Sequence, residues 1–262
     1  CFEMYHNFAM KVVCHIPHAS LTVPDDMREQ FFLSDEELWV ELKLMTDHFT
    51  DELFSEVLAG ATDVIFPVSR LVVDPERFED DVDEPMASVG MGVIYEQTSA
   101  KAPLRREISS IERKQLIDSY YQPHHDRLTK AVREAVHNGE QCLVLDCHSF
   151  PSKALPYELD NSLDRLEICL GTDEFHTPDW ITDLAARPFQ DPGFSVAINE
   201  PFAGALVPSV CYQSDDRVLA LMIELRRDLY MDEATGEKTA DFLEFRQKLR
   251  ACIGKIASGP NF

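Results

Sequence analysis

The chain has 262 residues, enough for a large buried core, and its composition of 45% hydrophobic and 27% charged residues is that of an ordinary globular enzyme. A formal net charge of −23 repels phosphate backbones and excludes nucleic acid as a partner. No apolar run approaches the ~20 residues that a membrane span needs, so no membrane partner is expected either.

Residues 1–9 carry Glu3, His6 and Asn7 and do not read as a signal peptide; Met10-Lys11 makes a plausible start, and the first nine residues are expected to be an extension. A strand is predicted over 10–16, then a loop through Pro24. Ser34-Asp35-Glu36-Glu37 is a capping box that should open a helix running to about Gly60. Thr62 to Val73 is strand-like with an interruption at Pro67, and residues 74–106 form a long acidic loop of the kind that carries function. Ser109-x-x-Glu112 caps a second long helix ending near Gly139, which Pro123 should break or kink. Strands follow over 142–147, 166–170 and 194–198, with a short helix over 178–186 between the last two. Val218 to Leu225 is a further apolar strand, and 239–257 a closing amphipathic helix. This alternation predicts one α/β domain over 1–262, with a mostly parallel sheet covered on both faces. The seven cysteines lie mostly within apolar runs without a CxxC pair; they read as small buried residues of a reducing cytoplasm.

Two strand ends deliver histidines. Leu143-Val144-Leu145 breaks into Asp146-Cys147-His148-Ser149-Phe150, and the first strand runs into Ile16-Pro17-His18-Ala19-Ser20. Open α/β sheets bind ligands beyond the carboxyl ends of their strands, and the small neighbours of His18 and His148 leave room for an ion and a substrate. A shared metal is the economical reason to bring them together. Zinc held by histidine nitrogens also takes a carboxylate and keeps one position for water. Asp47 and Asp51, four residues apart on a predicted helix, are candidates, against the plainer reading of a solvated acidic face.

Glu224 interrupts the apolar run Val218–Leu225. A carboxylate there is desolvated and its pKa rises toward that of a general base, unless Arg226 or Arg227 pairs with it. Arg70 interrupts another hydrophobic stretch and could grip a substrate carboxylate bidentately, or form a salt bridge to Asp74. Asn199 follows the strand over 194–198 and could offer its amide to a substrate. His124 and His125 are adjacent and must point in different directions, and His15 is expected to face away from His18. No GxSxG elbow, P-loop or GxGxxG is present.

The ordered set of phrases resembles the N-formylglutamate amidohydrolase family. The matching pieces are Ile16-Pro17-His18-Ala19-Ser20, Thr46-Asp47-His48, Ser69-Arg70-Leu71-Val72-Val73-Asp74-x-x-Arg77 and Tyr120-Tyr121-x-Pro123-x-His125. They continue with Leu145-Asp146-x-His148-Ser149, Ile168-Cys169-Leu170-Gly171-Thr172, Asn199-x-Pro201-Phe202 and Ile223-Glu224-Leu225-Arg226-x-x-Leu229-Tyr230-Met231. The resemblance implies a three-layer α/β/α, phosphorylase/hydrolase-like fold with a mixed sheet, related to the zinc carboxypeptidases. It implies one zinc ion held by His18, Asp47 and His148, with Asp51 as the fallback carboxylate and Asp146 orienting His148 from behind. Glu224 would be the general base for a metal-activated water, and Arg70, Arg77 and Asn199 would bind the substrate carboxylates. The expected activity is hydrolysis of an N-acyl amino acid, N-formyl-L-glutamate first, by a cytoplasmic monomer or small homo-oligomer. The alternatives are a zinc carboxypeptidase or deacylase of another amide, and a non-catalytic binding module. Two phrases depart from the family pattern: Ala203-Gly204-Ala205-Leu206 stands where a Gly-Gly pair and a tyrosine are usual, and Pro75-Glu76-Arg77 replaces a Leu-Asn-Arg-like element.

Overall fold

The structure, a computed structural model, describes residues 10–137, 140–158 and 164–259. The expected N-terminal extension and the helix end near Gly139 lie outside the described residues. Six strands form one sheet in the order β2-β1-β3-β6-β4-β5: β1 (Lys11–Ile16), β2 (Thr62–Ile65), β3 (Cys142–Phe150), β4 (Ile168–Gly171), β5 (Val196–Ile198) and β6 (Val218–Arg226). The four strands from β2 to β6 run parallel; β4 is antiparallel to β6, and β5 is parallel to β4. The sheet is therefore mixed and mostly parallel, as the alternation of elements predicts.

Strand alternation divides β1, β3 and β6 between two faces. Cys14, Leu143, Leu145, Cys147, Leu221 and Ile223 point to one face, where they pack on α2 (Thr50–Phe54), α5 (Asp179–Gln190) and α6 (Phe242–Ala257). Val13, Val144 and Ala220 point to the other and pack on Leu128 and Val132 of α4 (Gln122–Ala135). A third cluster joins Leu38 and Leu42 of α1 (Asp35–Met45) to Leu71 and to Met91 and Tyr95 of the long loop. That loop is ordered by its own buried apolar residues although its only regular piece is a short 3-10 turn, Pro85–Val89.

Both capping boxes form, Ser34 with Glu37 and Ser109 with Glu112, so both helix starts fall where expected. Their lengths do not. The helix from Ser34 stops at Met45 instead of near Gly60, and α2 begins at Thr50 after Phe49, whose φ of 63° is left-handed. Such a conformation costs a non-glycine residue roughly 1–2 kcal/mol and breaks the helical path. The second long helix is α3 (Ser110–Leu116), a π-helical turn (Ile117–Tyr121) and α4 in one continuous run, so Pro123 does not break it and instead follows closely on the π turn, where the regular bonding pattern is already interrupted. The stretch 62–73 is a strand only to Ile65, because beyond it Val72 N donates to Ser69 O in a turn. The six described cysteines are buried and free. Among the described residues no helix is long and apolar enough to cross a membrane.

Candidate active site

At the carboxyl ends of β1, β3 and β6, the α4-facing side of the sheet changes from apolar to ionisable. The register pairs His15 with Asp146 and His148 with Glu224, so His15, Asp146, His148, Met222 and Glu224 share that face. His18 lies two residues beyond β1. Asp47 occupies the elbow between α1 and α2, where its N–H donates to His18 O and its carbonyl accepts from Thr50 Oγ1. Asp47 is thus fixed by the break in the helix and is not a mid-helix residue; Thr46 and Asp47, poor helix formers, are the sequence signal for that break. Asp51 stays on α2, its carboxylate accepting from Glu52 N.

His18, Asp47 and His148 converge and are buried. Asp47 Oδ2 lies 3.2 Å from His148 Nδ1 and 3.6 Å from His18 Nδ1, and the latter nitrogen is buried without a hydrogen bond. The His148–Asp47 contact is a hydrogen bond, and because ligands 2.0–2.1 Å from a tetrahedral ion stand about 3.3 Å apart, the same spacings also suit a shared ion. The distal nitrogens are committed: His18 Nε2 bonds Asp74 Oδ1 at 2.8 Å, and His148 Nε2 bonds Asp146 Oδ1 at 2.9 Å. A carboxylate behind each histidine orients its ring so that Nδ1 faces Asp47, where it could ligate a metal. Two imidazoles and a carboxylate, one imidazole nitrogen orphaned, fit a divalent cation such as zinc.

Arg227 completes the frame. Its Nη2 donates to Asp47 Oδ1 at 2.9 Å, Nε to Ser149 Oγ and Nη1 to Leu44 O, so it secures Asp47 and makes no hydrogen bond to Glu224. Arg226 turns to Asp228. Glu224 is buried with Oε2 unbonded, and burial pushes its carboxyl up to about 8, against the nearby cationic His148 and Arg227. Asp47 is held well below the usual range: burial opposes ionisation, but His148, His18 and Arg227 outweigh it. His148 is raised, because Asp146 and Asp47 overcome its burial. Metal binding would displace that proton.

A cavity of about 520 Å³ opens over this cluster and includes Arg70, Arg77, Glu224 and Tyr157. Arg70 does form the alternative salt bridge, Nη2 to Asp74 Oδ2 at 2.8 Å, yet it also lines the cavity. Arg77 donates through Nε to Met91 O. Asn199 is not brought there: it is exposed at the end of β5, its amide exchanging hydrogen bonds with Thr172. Asp74, Tyr95 and Arg227 escape the sequence reading as site residues. Asp74 was visible only as a partner for Arg70, and Arg227 only as one for Glu224. His15 lies on the site's side of the sheet and not away from it, bonded to Asp146 through Nδ1 and to His124 through Nε2. His124 and His125 are turned 85° apart and neither joins the three-residue cluster, His125 bonding Pro75 O.

An open mixed sheet with a histidine-carboxylate cluster and a buried carboxylate above its strand ends defines an α/β protein with a hydrolase-like site. The profile of the N-formylglutamate amidohydrolase family matches residues 10–231, and the chain belongs to that family, a hydrolase of amide C–N bonds. The crystal structure of N-formylglutamate amidohydrolase from Ralstonia eutropha JMP134 is 27% identical over 95% of this chain and 93% of that one, with a TM-score of 0.81. A gene product from Agrobacterium tumefaciens shares the fold at 22% identity and a TM-score of 0.67, over 95% and 93% of the two chains. A search of the curated proteins finds no match.

Proposed function

We propose that the protein is a metal-dependent hydrolase of N-acyl amino acids, with N-formyl-L-glutamate as the reference substrate. The observation that carries this reading is the orphaned, buried Nδ1 of His18, facing Asp47 and His148 while a carboxylate holds each histidine from behind. His18, Asp47 and His148 would hold a divalent cation, which would supply Lewis acidity toward the attacking water and the amide carbonyl. Glu224, which lines the same cavity, takes the proton of the attacking water and returns it to the leaving amine. Its role needs the ionised form, so the rate rises with pH through the carboxyl's pKa. Arg70 and Arg77 neutralise the substrate's carboxylates, Arg70 through the part of its guanidinium not taken by Asp74 and Tyr95. Arg227 keeps Asp47 ionised and aimed.

The test is formate and glutamate release from N-formyl-L-glutamate by zinc-loaded and chelator-treated protein, with elemental analysis of both. Turnover that survives complete metal removal would sink the reading.

A further inference from the structure

The catalytic cavity does not end at the cluster. A second cavity of about 640 Å³ adjoins it, and Glu76, Arg77, Ala203 and Met222 line both. Met222 and Asp146 stand one alternation before Glu224 and His148 on the same sheet face, so the second cavity continues the first along β3 and β6 toward the start of α4. At the junction the small side chain of Ala203 lines both cavities, and Gly204 and Ala205 line the second. That segment is drawn in by Leu206 N, which donates to Asp146 Oδ2 at 2.9 Å, and by the approach of Gly204 O to Gly171, where any side chain would collide. The first cavity alone is large enough for an N-formyl amino acid, which leaves the second without an occupant.

The lining indicates what would fill it. Phe78 and Tyr212 are 62% and 47% exposed at its rim, and Leu206 and Val207 form part of the wall. Exposed aromatic side chains beside a cavity favour apolar ligands. Glu76, Glu79, Asp146 and Asp173 outnumber Arg77 and His125, so an anionic group is repelled. Arg70 lines the first cavity and not the second, while Arg77 lines both, so a substrate whose carboxylates are held by Arg70 and, at the junction, by Arg77 can direct its acyl side past Ala203 and Met222 into the second cavity.

We propose that the second cavity is an acyl-arm subsite, and that the preferred substrates are amino acids N-acylated with an uncharged apolar or aromatic group. The inference rests on the metal-amidase reading above. The reaction remains hydrolysis: water adds across the C–N bond, hydroxyl to the acyl carbon and proton to nitrogen, releasing a carboxylic acid and a free amino acid.

Glutamate release by the zinc-loaded protein is measured for N-formyl-, N-phenylacetyl- and N-succinyl-L-glutamate. The phenylacetyl compound is expected to exceed both others in kcat/KM by at least tenfold. Ser209→Trp and Gln122→Trp, two exposed positions on the second cavity, should each lower phenylacetyl turnover at least tenfold and change formyl turnover less than twofold. The formyl compound as best substrate, or an unchanged phenylacetyl-to-formyl ratio in both folded variants, overturns the subsite while leaving the amidase reading intact. No release from any of the three overturns both.

Discussion

The two faces of the sheet do different work with the same strands. On the face toward α5 and α6, Cys14, Leu145, Cys147, Leu221 and Ile223 are apolar from end to end and fully buried. On the face toward α4, Val144 and Ala220 give way within two or four residues to Asp146, His148, Met222 and Glu224. Residues of β3 and β6 alternate strictly, so one face can hold the fold at full packing density while the other spends its last turns of pleat on ionisable groups. A buried ionisable group opposes folding unless paired, and here nearly every one is paired: His148 with Asp146, His18 with Asp74, Asp47 with Arg227. Glu224 Oε2 and His18 Nδ1 are buried without a hydrogen bond in the middle of this network, and they are the atoms the proposed chemistry needs.

The contrast can be broken by substitution. Replacing both His18 and His148 with alanine should abolish metal binding and bring turnover to background while circular dichroism stays native; retained metal refutes the site. Glu224→Gln should keep the metal and lower kcat roughly 10²–10⁴-fold. Leu145→Ala, on the opposite face, should cost about 2–5 kcal/mol in denaturant unfolding and leave kcat per folded molecule unchanged. A loss of kcat there would mean that the faces are not separable.

His15 sharpens the comparison through pH. Burial alone would lower its pKa, but the Asp146 and Glu76 carboxylates lift it to about 9. Because the folded value lies above the unfolded ~6.5, its contribution is full below pH 6.5 and vanishes as pH rises through 9. Metal-free protein should therefore exceed His15→Gln in stability by about 3 kcal/mol at pH 6, with the gap closing by pH 9.5. A gap that widens with pH contradicts the assignment. The smallest effect expected is that of Asp146→Asn, a 10–100-fold weaker zinc affinity by competition with a chromophoric chelator.

The sequence alone determined the elements with strong local signals. Two capping boxes fixed two helix starts, and strongly apolar runs marked β3 and β6, because caps and hydrophobic period act over a few residues. It also marked His18, His148 and Glu224, since a histidine at a strand end or a carboxylate inside an apolar run is conspicuous locally. Only the tertiary structure decided the rest. The elbow that carries Asp47 is held by contacts far off in sequence: Phe49, in the left-handed region, packs edge-on against Phe242, almost two hundred residues away. The partners of the histidines come from the long loop and from β3, and Arg227 reaches Asp47 across 180 positions. Asn199 satisfied a sequence pattern yet faces Thr172, because the direction of a side chain after a strand is set by the neighbouring chain. His15, discounted on strand position, joins the network through Asp146 for the same reason: burial forces polar groups to find partners wherever the fold supplies them.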